Sequence, residues 1–464
     1  MLKSVEESLT KKKNKKKNQS ASDESANGVE WTKCNVCLEL SNPQYCNCGV
    51  HAIIEDANAA DAEPNCSFAH AVINMVGMLT GLGQLSASYA VEEGGWACAV
   101  IFLIGLAITC AYSCLLLGKC MDKNPKLRSY ADIGEEAFGR KGRMVASTLI
   151  YTEIFMALVS YTISLHDNLF TVFMGSHYLK HLRLPKLLSP SQLLTVLAVL
   201  IAMPSLWLRD LSSISFLSSA GVLMSLIIFS SVVATPIFGG VKVNHRIPVL
   251  QIHNVPSASG LFIYSFGGHV VFPDLYKSMK DPSKFTKVII VSFSIATLLF
   301  TTLGFMGAKM FGPQVKSQIT LSMPENFIGT KIAVWATVIT PMTKYALEFA
   351  PLAIQLQHRL PSSMRNRSRM MIRSTVGSVL LLVILALALS VPYFEDVLCL
   401  TGSLLTVFIS LIFPCAFYTK ICWGQMSNTV LAFNSCLIAL GLVLGVMGTI
   451  SSSSSLLSNL QPHH

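Results

Sequence analysis

Apolar residues in this chain do not alternate with polar ones. They come in long runs, separated by short stretches where charge collects. A run of about 18 residues or more, wound as a helix, crosses the ~30 Å hydrocarbon layer of a bilayer. Eleven such spans are predicted, over 67–91, 95–119, 143–174, 190–208, 213–239, 256–280, 286–309, 328–356, 371–391, 394–419 and 428–449. The third and eighth exceed ~25 residues, which predicts tilt or extension beyond the bilayer. The expected fold class is an all-α polytopic membrane protein of eleven transmembrane helices.

Glycines interrupt two of these runs. Gly81-Leu82-Gly83 falls inside the first and Gly267-Gly268 inside the sixth. In hydrocarbon every backbone N–H and C=O needs a partner, so a broken helix persists only where it lines a cavity or is buried in protein. Span starts five apart in order differ by a nearly constant roughly 181 to 191 residues, and both long spans are the third of their five. Five is odd, so the second half enters from the opposite side. The pattern predicts an inverted five-plus-five repeat with broken helices 1 and 6, plus one extra helix. A solute site is expected at the repeat interface near the midplane. Regularly spaced helices alone would give a similar offset; the matched breaks and matched long spans favour the repeat.

Composition agrees. Of 464 residues, 52% are hydrophobic and only 13% charged, against about 25% charged in ordinary soluble domains. The formal net charge of +10 sits in the loops, and this argues against a nucleic-acid partner. With the N-terminus inside, the inner loops hold 18 Lys and Arg and the outer loops 8, so the N-terminus is expected in the cytosol. Residues 1–66 are expected to be a cytosolic disordered tail opening with the lysine run of 11–13 and 15–17, which is simply solvated, touches anionic lipid or acts as a localisation signal. The first apolar run starts too late for a cleaved signal peptide. Residues 67–450 form the membrane domain, and 451–464 a short polar C-terminal tail.

A break leaves N–H groups on one half-helix and C=O groups on the other, with partial charges of opposite sign. An α-amino acid carries both a carboxylate and an ammonium, so two facing breaks suit it without charged side chains. The carboxylate is assigned to the amides around Gly81, Leu82 and Gly83, and the ammonium to carbonyls near Ile263, Tyr264 and Ser265. The glycines, Gly267 and Gly268 included, would let the solute approach the backbone closely. Helix–helix packing is the alternative use of such small residues.

Four stretches resemble the amino acid/auxin permease family. They are Gly81-Leu82-Gly83-Gln84-Leu85-Ser86-Ala87-Ser88-Tyr89-Ala90 with Glu93-Gly94-Gly95-Trp96; Tyr130-Ala131-Asp132-Ile133-Gly134-Glu135-Glu136-Ala137-Phe138-Gly139; Tyr264-Ser265-Phe266-Gly267-Gly268-His269 with Phe272-Pro273; and Pro341-Met342-Thr343-Lys344-Tyr345-Ala346-Leu347. The branch most similar is that of plant and fungal vacuolar amino acid transporters. The resemblance implies eleven spans, amino acid transport driven by a proton gradient, and a vacuolar membrane, with the plasma membrane as alternative. The expected partners are an amino acid, protons and the bilayer, for a protein acting as a monomer. Two positions depart from the family pattern: Ser88 stands where proline is usual and Gln84 where an aliphatic residue is usual. Without the proline, the glycines are left to break the first helix. Gln84 would face the cavity or bond a neighbouring helix.

Charge within the bilayer is costly, at least ~3 kcal/mol, so ionisable span residues are functional candidates. Lys344 is expected to bind and release the coupled proton, or else to form a static ion pair with Glu348 one turn on. Glu153 and His269 are further proton-relay candidates, with structural hydrogen bonding as the alternative. Asp167 is expected at the outer interface. Tyr151 and Tyr161 are expected to pack, or to line the cavity. In the tail, Cys34, Cys37, Cys46 and Cys48 could hold zinc, or remain thiols on a disordered chain; otherwise no cofactor is expected. No HExxH, Gly-x-Ser-x-Gly or Asp–His constellation occurs in the spans, which argues against an embedded enzyme. An amino-acid sensor signalling through the long tail is the other competing class.

Overall fold

The computed structural model describes residues 66–174, 189–203, 211–359, 364 and 366–460. The tail, with Cys34, Cys37, Cys46 and Cys48, lies outside the described residues. The first apolar segment is a bent pair, α1 (Phe68–Leu79) and α2 (Leu82–Gly94), meeting at 54°. Then follow α3 (Trp96–Lys123), α4 (Tyr130–Met174), α5 (Pro190–Ala202) and α6 (Leu211–Phe238). The second half begins with a second broken segment, α7 (Val255–Ser265) and α8 (Phe272–Ser278), and continues with α9 (Phe285–Phe311), α10 (Ile328–Arg359) and α11 (Asn366–Ser390). It closes with α12 (Phe394–Ile421), and α13 (Asn428–Leu460) is the added helix.

A helix or helix pair thus occupies each of the eleven predicted segments. Among the described residues, seven helices are long and apolar enough to cross a membrane, and the bent pair α1/α2 counts as an eighth. The short α5, the α7/α8 pair and α10 fall outside that test. Isoleucines at 101, 104 and 108 on α3 and Leu298 on α9 are exposed. Exposed apolar surface of that extent suits lipid rather than water.

The long third member of the first half has a local cause. Gly139, at φ +66°, and Phe138 break helical geometry inside α4. The polar segment Tyr130–Ala137 is therefore a separate short helix run onto the span. Asp132, in its first turn, is paired with Arg143 across the kink at 3.1 Å. The Tyr130 hydroxyl donates to the Ile409 carbonyl at 2.6 Å, fastening this helix to α12. Asp167 is more than an interfacial charge: it accepts from Gln318 Nε2 at 2.8 Å, and Ser164 and Asn168 donate to the other end of the same amide.

Differences from the sequence expectation cluster at α13. The helix continues through the serine run to Leu460, where a polar tail from 451 was expected. Ser452 donates back to the Gly448 carbonyl at 2.7 Å. Asn459 donates to Asp396 at 2.8 Å and accepts, through its carbonyl, from Tyr393 at 2.7 Å. Tertiary bonds to the start of α12 outweigh the weak helix propensity of serine.

The two half-helices α1 and α8 are tied at their far ends. Cys66 N–H donates to the Ser278 carbonyl at 2.9 Å, and Lys280 N–H returns to Cys66 at 3.0 Å. At the opposite face, the segment after α6 closes over the end of α2. Trp96 N–H donates to Pro248, Ala97 N–H to Val249 and Gln251 N–H to Gly94. Gly95, at φ +86°, permits this approach, since a Cβ there would lie 2.8 Å from the Val249 carbonyl.

Candidate functional site at the two helix breaks

The break in the first segment leaves its donors open. Gly81 N–H turns back to the Leu79 carbonyl at 3.1 Å, and Gln84 N–H to that of Gly81 at 3.3 Å. Gly81 caps α2 with no side-chain bond. Among the described hydrogen bonds none uses the N–H of Leu82 or Gly83. These two amides stand at the positive end of a 13-residue helix.

The second break leaves acceptors open. Phe266 N–H reaches the Phe262 carbonyl at 3.4 Å and Gly267 N–H that of Tyr264 at 3.0 Å. No described hydrogen bond ends on the carbonyls of Ile263 or Ser265, at the negative end of α7. Gly268, at φ +132°, carries the chain out of the helix.

A cavity of about 300 Å³ lies between the breaks. Gly81, Leu82, Gly83, Tyr264, Gly267 and Gly268 line it. Gln84, Ile263 and Ser265 do not. Gln84 is 3% exposed and without a described side-chain hydrogen bond. The Ser265 hydroxyl is turned back to the Leu261 carbonyl at 2.8 Å. Glu153 lines the cavity, with one oxygen accepting from Thr406 at 2.7 Å. Tyr161 lines it as well; Tyr151 does not.

Gly83 serves the alternative use weighed from the sequence, close helix packing. A Cβ there would lie 2.6 Å from the Ser265 Cα, so the glycine admits the backbone of α7 rather than a solute. Gly267 likewise admits Thr406, whose Cγ2 would lie 2.8 Å from an added Cβ. Ser88 is explained by the same close packing. It donates to the Leu303 carbonyl at 2.8 Å, and Gly307 on α9 leaves room for it. The position of the usual proline is thus used for a helix–helix bond.

Lys344 is 5% exposed and lies outside the cavity lining, with its Cε 3.5 Å from where a Cβ on Gly221 of α6 would stand. Among the described residues it forms no ion pair with Glu348; the static pair weighed from the sequence is not made. His269 lies in the break but faces away from the cavity. It is fully buried, with Nε2 2.8 Å from Ser113 Oγ and 3.2 Å from the Cys110 carbonyl. These bonds fix α3 against the break. Among the described residues no group of His, Cys, Asp and Glu is arranged to hold a metal.

Sequence reasoning missed Thr406, Asp274 and the cavity role of Glu348, all of which line the site. Glu348 carried a signal, an acidic residue in an apolar span. Thr406 carried none, because its place depends on the π-helical winding of α12 over Gly402–Thr406.

A bundle of apolar helices with two broken members facing a central cavity defines a membrane solute carrier. The chain belongs to the family of transmembrane amino acid transporter proteins, whose sequence model matches residues 64–457. As a member it is a multi-pass amino acid transporter and not an enzyme. It is 56% identical to the amino acid transporter AVT1H of Arabidopsis thaliana, over 93% of this chain and 99% of that one. With the Arabidopsis transporter AVT1E it shares 37% identity, over 85% of this chain and 74% of that one. Its fold is similar to that of MhsT, solved in complex with L-phenylalanine (TM-score 0.51, 13% identity, 82% of this chain and 98% of MhsT). It is also similar to a Na+-coupled sialic acid symporter solved in a substrate-bound outward-open state (TM-score 0.52, 14% identity, 84% and 89%).

Proposed function

We propose that the protein carries amino acids across the vacuolar membrane by proton-coupled alternating access, with its N-terminus in the cytosol. The observation that carries this reading is the pair of open helix ends. The free amides of Leu82 and Gly83 receive the substrate carboxylate, and the open carbonyl end of α7, which reaches the cavity at Tyr264, receives its ammonium. Oriented dipoles of this kind bind a zwitterion without a permanent charge in the bilayer. The names of the Arabidopsis relatives support the substrate class.

Lys344 is the proposed proton carrier. It is a buried cation on a helix packed against α6, with the carboxyl of Glu348 one turn on as an electrostatic neighbour but no close ion pair among the described residues. Burial without a close ion pair is unfavourable for a charged lysine. A proton taken up there and released as the helices rearrange couples the two movements. Glu153, on the cavity wall, is the proposed relay between Lys344 and the solvent-open state. The closed segment over α2 and the lining of the cavity by α1 and α8 support access from the α1 side in this state.

The test is uptake of radiolabelled amino acids into proteoliposomes under an imposed pH gradient. Uptake that rises with the gradient and collapses with an ionophore is expected. No gradient-stimulated uptake of any proteinogenic amino acid would defeat the proposal.

A further inference from the structure

The cavity is lined by more carboxyl groups than a neutral zwitterion requires. Three carboxylates line it, those of Glu153, Asp274 and Glu348, and its lining contains no Lys, Arg or His. Two of the three have local explanations. Asp274 stands in the first turn of α8, where the helix dipole favours an anion. Glu153 accepts the Thr406 hydroxyl. Glu348 has neither. No described hydrogen bond reaches its carboxylate, and Lys344, one turn before it, acts on it electrostatically without forming a close ion pair among the described residues.

Apart from Tyr161, Tyr264 and Thr406, the rest of the wall is apolar side chains and glycine backbone. Met78, Leu79, Ile154, Ala157, Val270 and Val271 contribute to it. A largely apolar cavity holding a carboxylate without a hydrogen bond or close ion pair among the described residues has a definite complement, a flexible methylene stem tipped by a cation. Lysine and arginine side chains bury their stems against such surface while the charged head finds a counter-ion. Arginine also offers a planar fork that fits a carboxylate through two parallel hydrogen bonds.

The geometry points to a site that takes basic amino acids, with Glu348 as the residue that receives the side-chain cation. This rests on the transport reading above and on its assignment of the α-carboxylate and α-ammonium to the helix breaks. The substrate would then make three polar contacts, two with backbone and one with Glu348. Discrimination follows from the last. A neutral side chain of the same length leaves the Glu348 carboxylate desolvated and unpaired, and sites built this way reject the analogue lacking the group.

The experiment is competition binding to the purified full-length protein, comparing arginine with citrulline and lysine with norleucine, near-isosteric pairs differing in charge. At least tenfold tighter binding of the charged member is expected in each pair. Glu348→Gln is expected to narrow both ratios to below threefold. Glu348→Asp, which keeps the charge, is expected to retain the preference for the cation, and it carries the test should the glutamine variant fail to fold. Citrulline and norleucine binding as well as arginine and lysine would overturn the inference while leaving amino acid transport standing. Preserved ratios in the glutamine variant, or a lost preference in a folded aspartate variant, would overturn the role of Glu348. Binding of none of the twenty proteinogenic amino acids would remove the transport reading itself.

Discussion

Gly83 and Ser265 meet backbone to backbone where the two broken helices cross. A Cβ on Gly83 would lie 2.6 Å from the Ser265 Cα and 2.5 Å from its hydroxyl oxygen. Every other property of the site depends on this approach, because it brings the open end of α2 to the open end of α7.

Gly83→Ala is therefore expected to force the two helices apart. Overpacking of this kind costs about 1–3 kcal/mol, and here it also displaces both halves of the binding site. Uptake should fall to background, with a lower melting temperature in detergent. Ser265→Ala should not rescue it, since the clash includes the Cα atom. Gly105→Ala on α3, where nothing lies within 4 Å of an added Cβ, should leave uptake unchanged.

Ser88 and Gly307 form a second crossing, between α2 and α9. Ser88→Ala removes the bond to the Leu303 carbonyl and should cost about 1 kcal/mol. Gly307→Ala places a Cβ 2.5 Å from the Ser88 Cβ, so it should be the more damaging change. Thermal unfolding of the two purified variants decides the order.

At the face closed by the segment after α6, Glu92 is 5% exposed and accepts from His245 Nε2 at 3.3 Å, while its second oxygen is buried without a described partner. His245→Ala should cost about 1–3 kcal/mol by leaving that carboxylate unpaired, discounted because His245 is half-exposed. Glu92→Gln placed on His245→Ala should recover part of the loss. A double-mutant cycle on melting temperature measures the coupling.

Lys344→Met tests the coupling proposal separately from binding. Accumulation driven by a pH gradient should fall at least tenfold more than exchange of labelled for unlabelled amino acid. Equal losses in the two assays would mean that Lys344 supports the fold or the site and not the proton.

Much of the architecture was legible because hydrocarbon imposes strong rules. Length and apolarity mark the helices, and glycine pairs inside spans 1 and 6 mark the breaks, since little else interrupts a helix in lipid. Side-chain direction was not legible. Ile263, Ser265 and Gln84 sit beside cavity-lining residues in sequence, yet their side chains point elsewhere, because each residue of a helix is rotated by about 100° from its neighbour. His269 was expected beside the cavity for its place in the chain, and its ring instead bonds Ser113 of α3. The serine run of α13 misled through composition, because bonds from Asn459 to the distant Tyr393 and Asp396 decide its winding.

The central claim is that unpaired peptide groups, rather than side-chain charges, hold the two ends of the amino acid. Its most direct measurement is inhibition of labelled amino acid uptake by the parent compound, its methyl ester and its N-acetyl derivative. The ester removes the charge that meets Leu82 and Gly83, and acetylation removes the one that meets the carbonyl end of α7 at Tyr264. Each derivative should inhibit at least a hundredfold less well than the parent. Inhibition by either one within threefold of the parent would contradict the account.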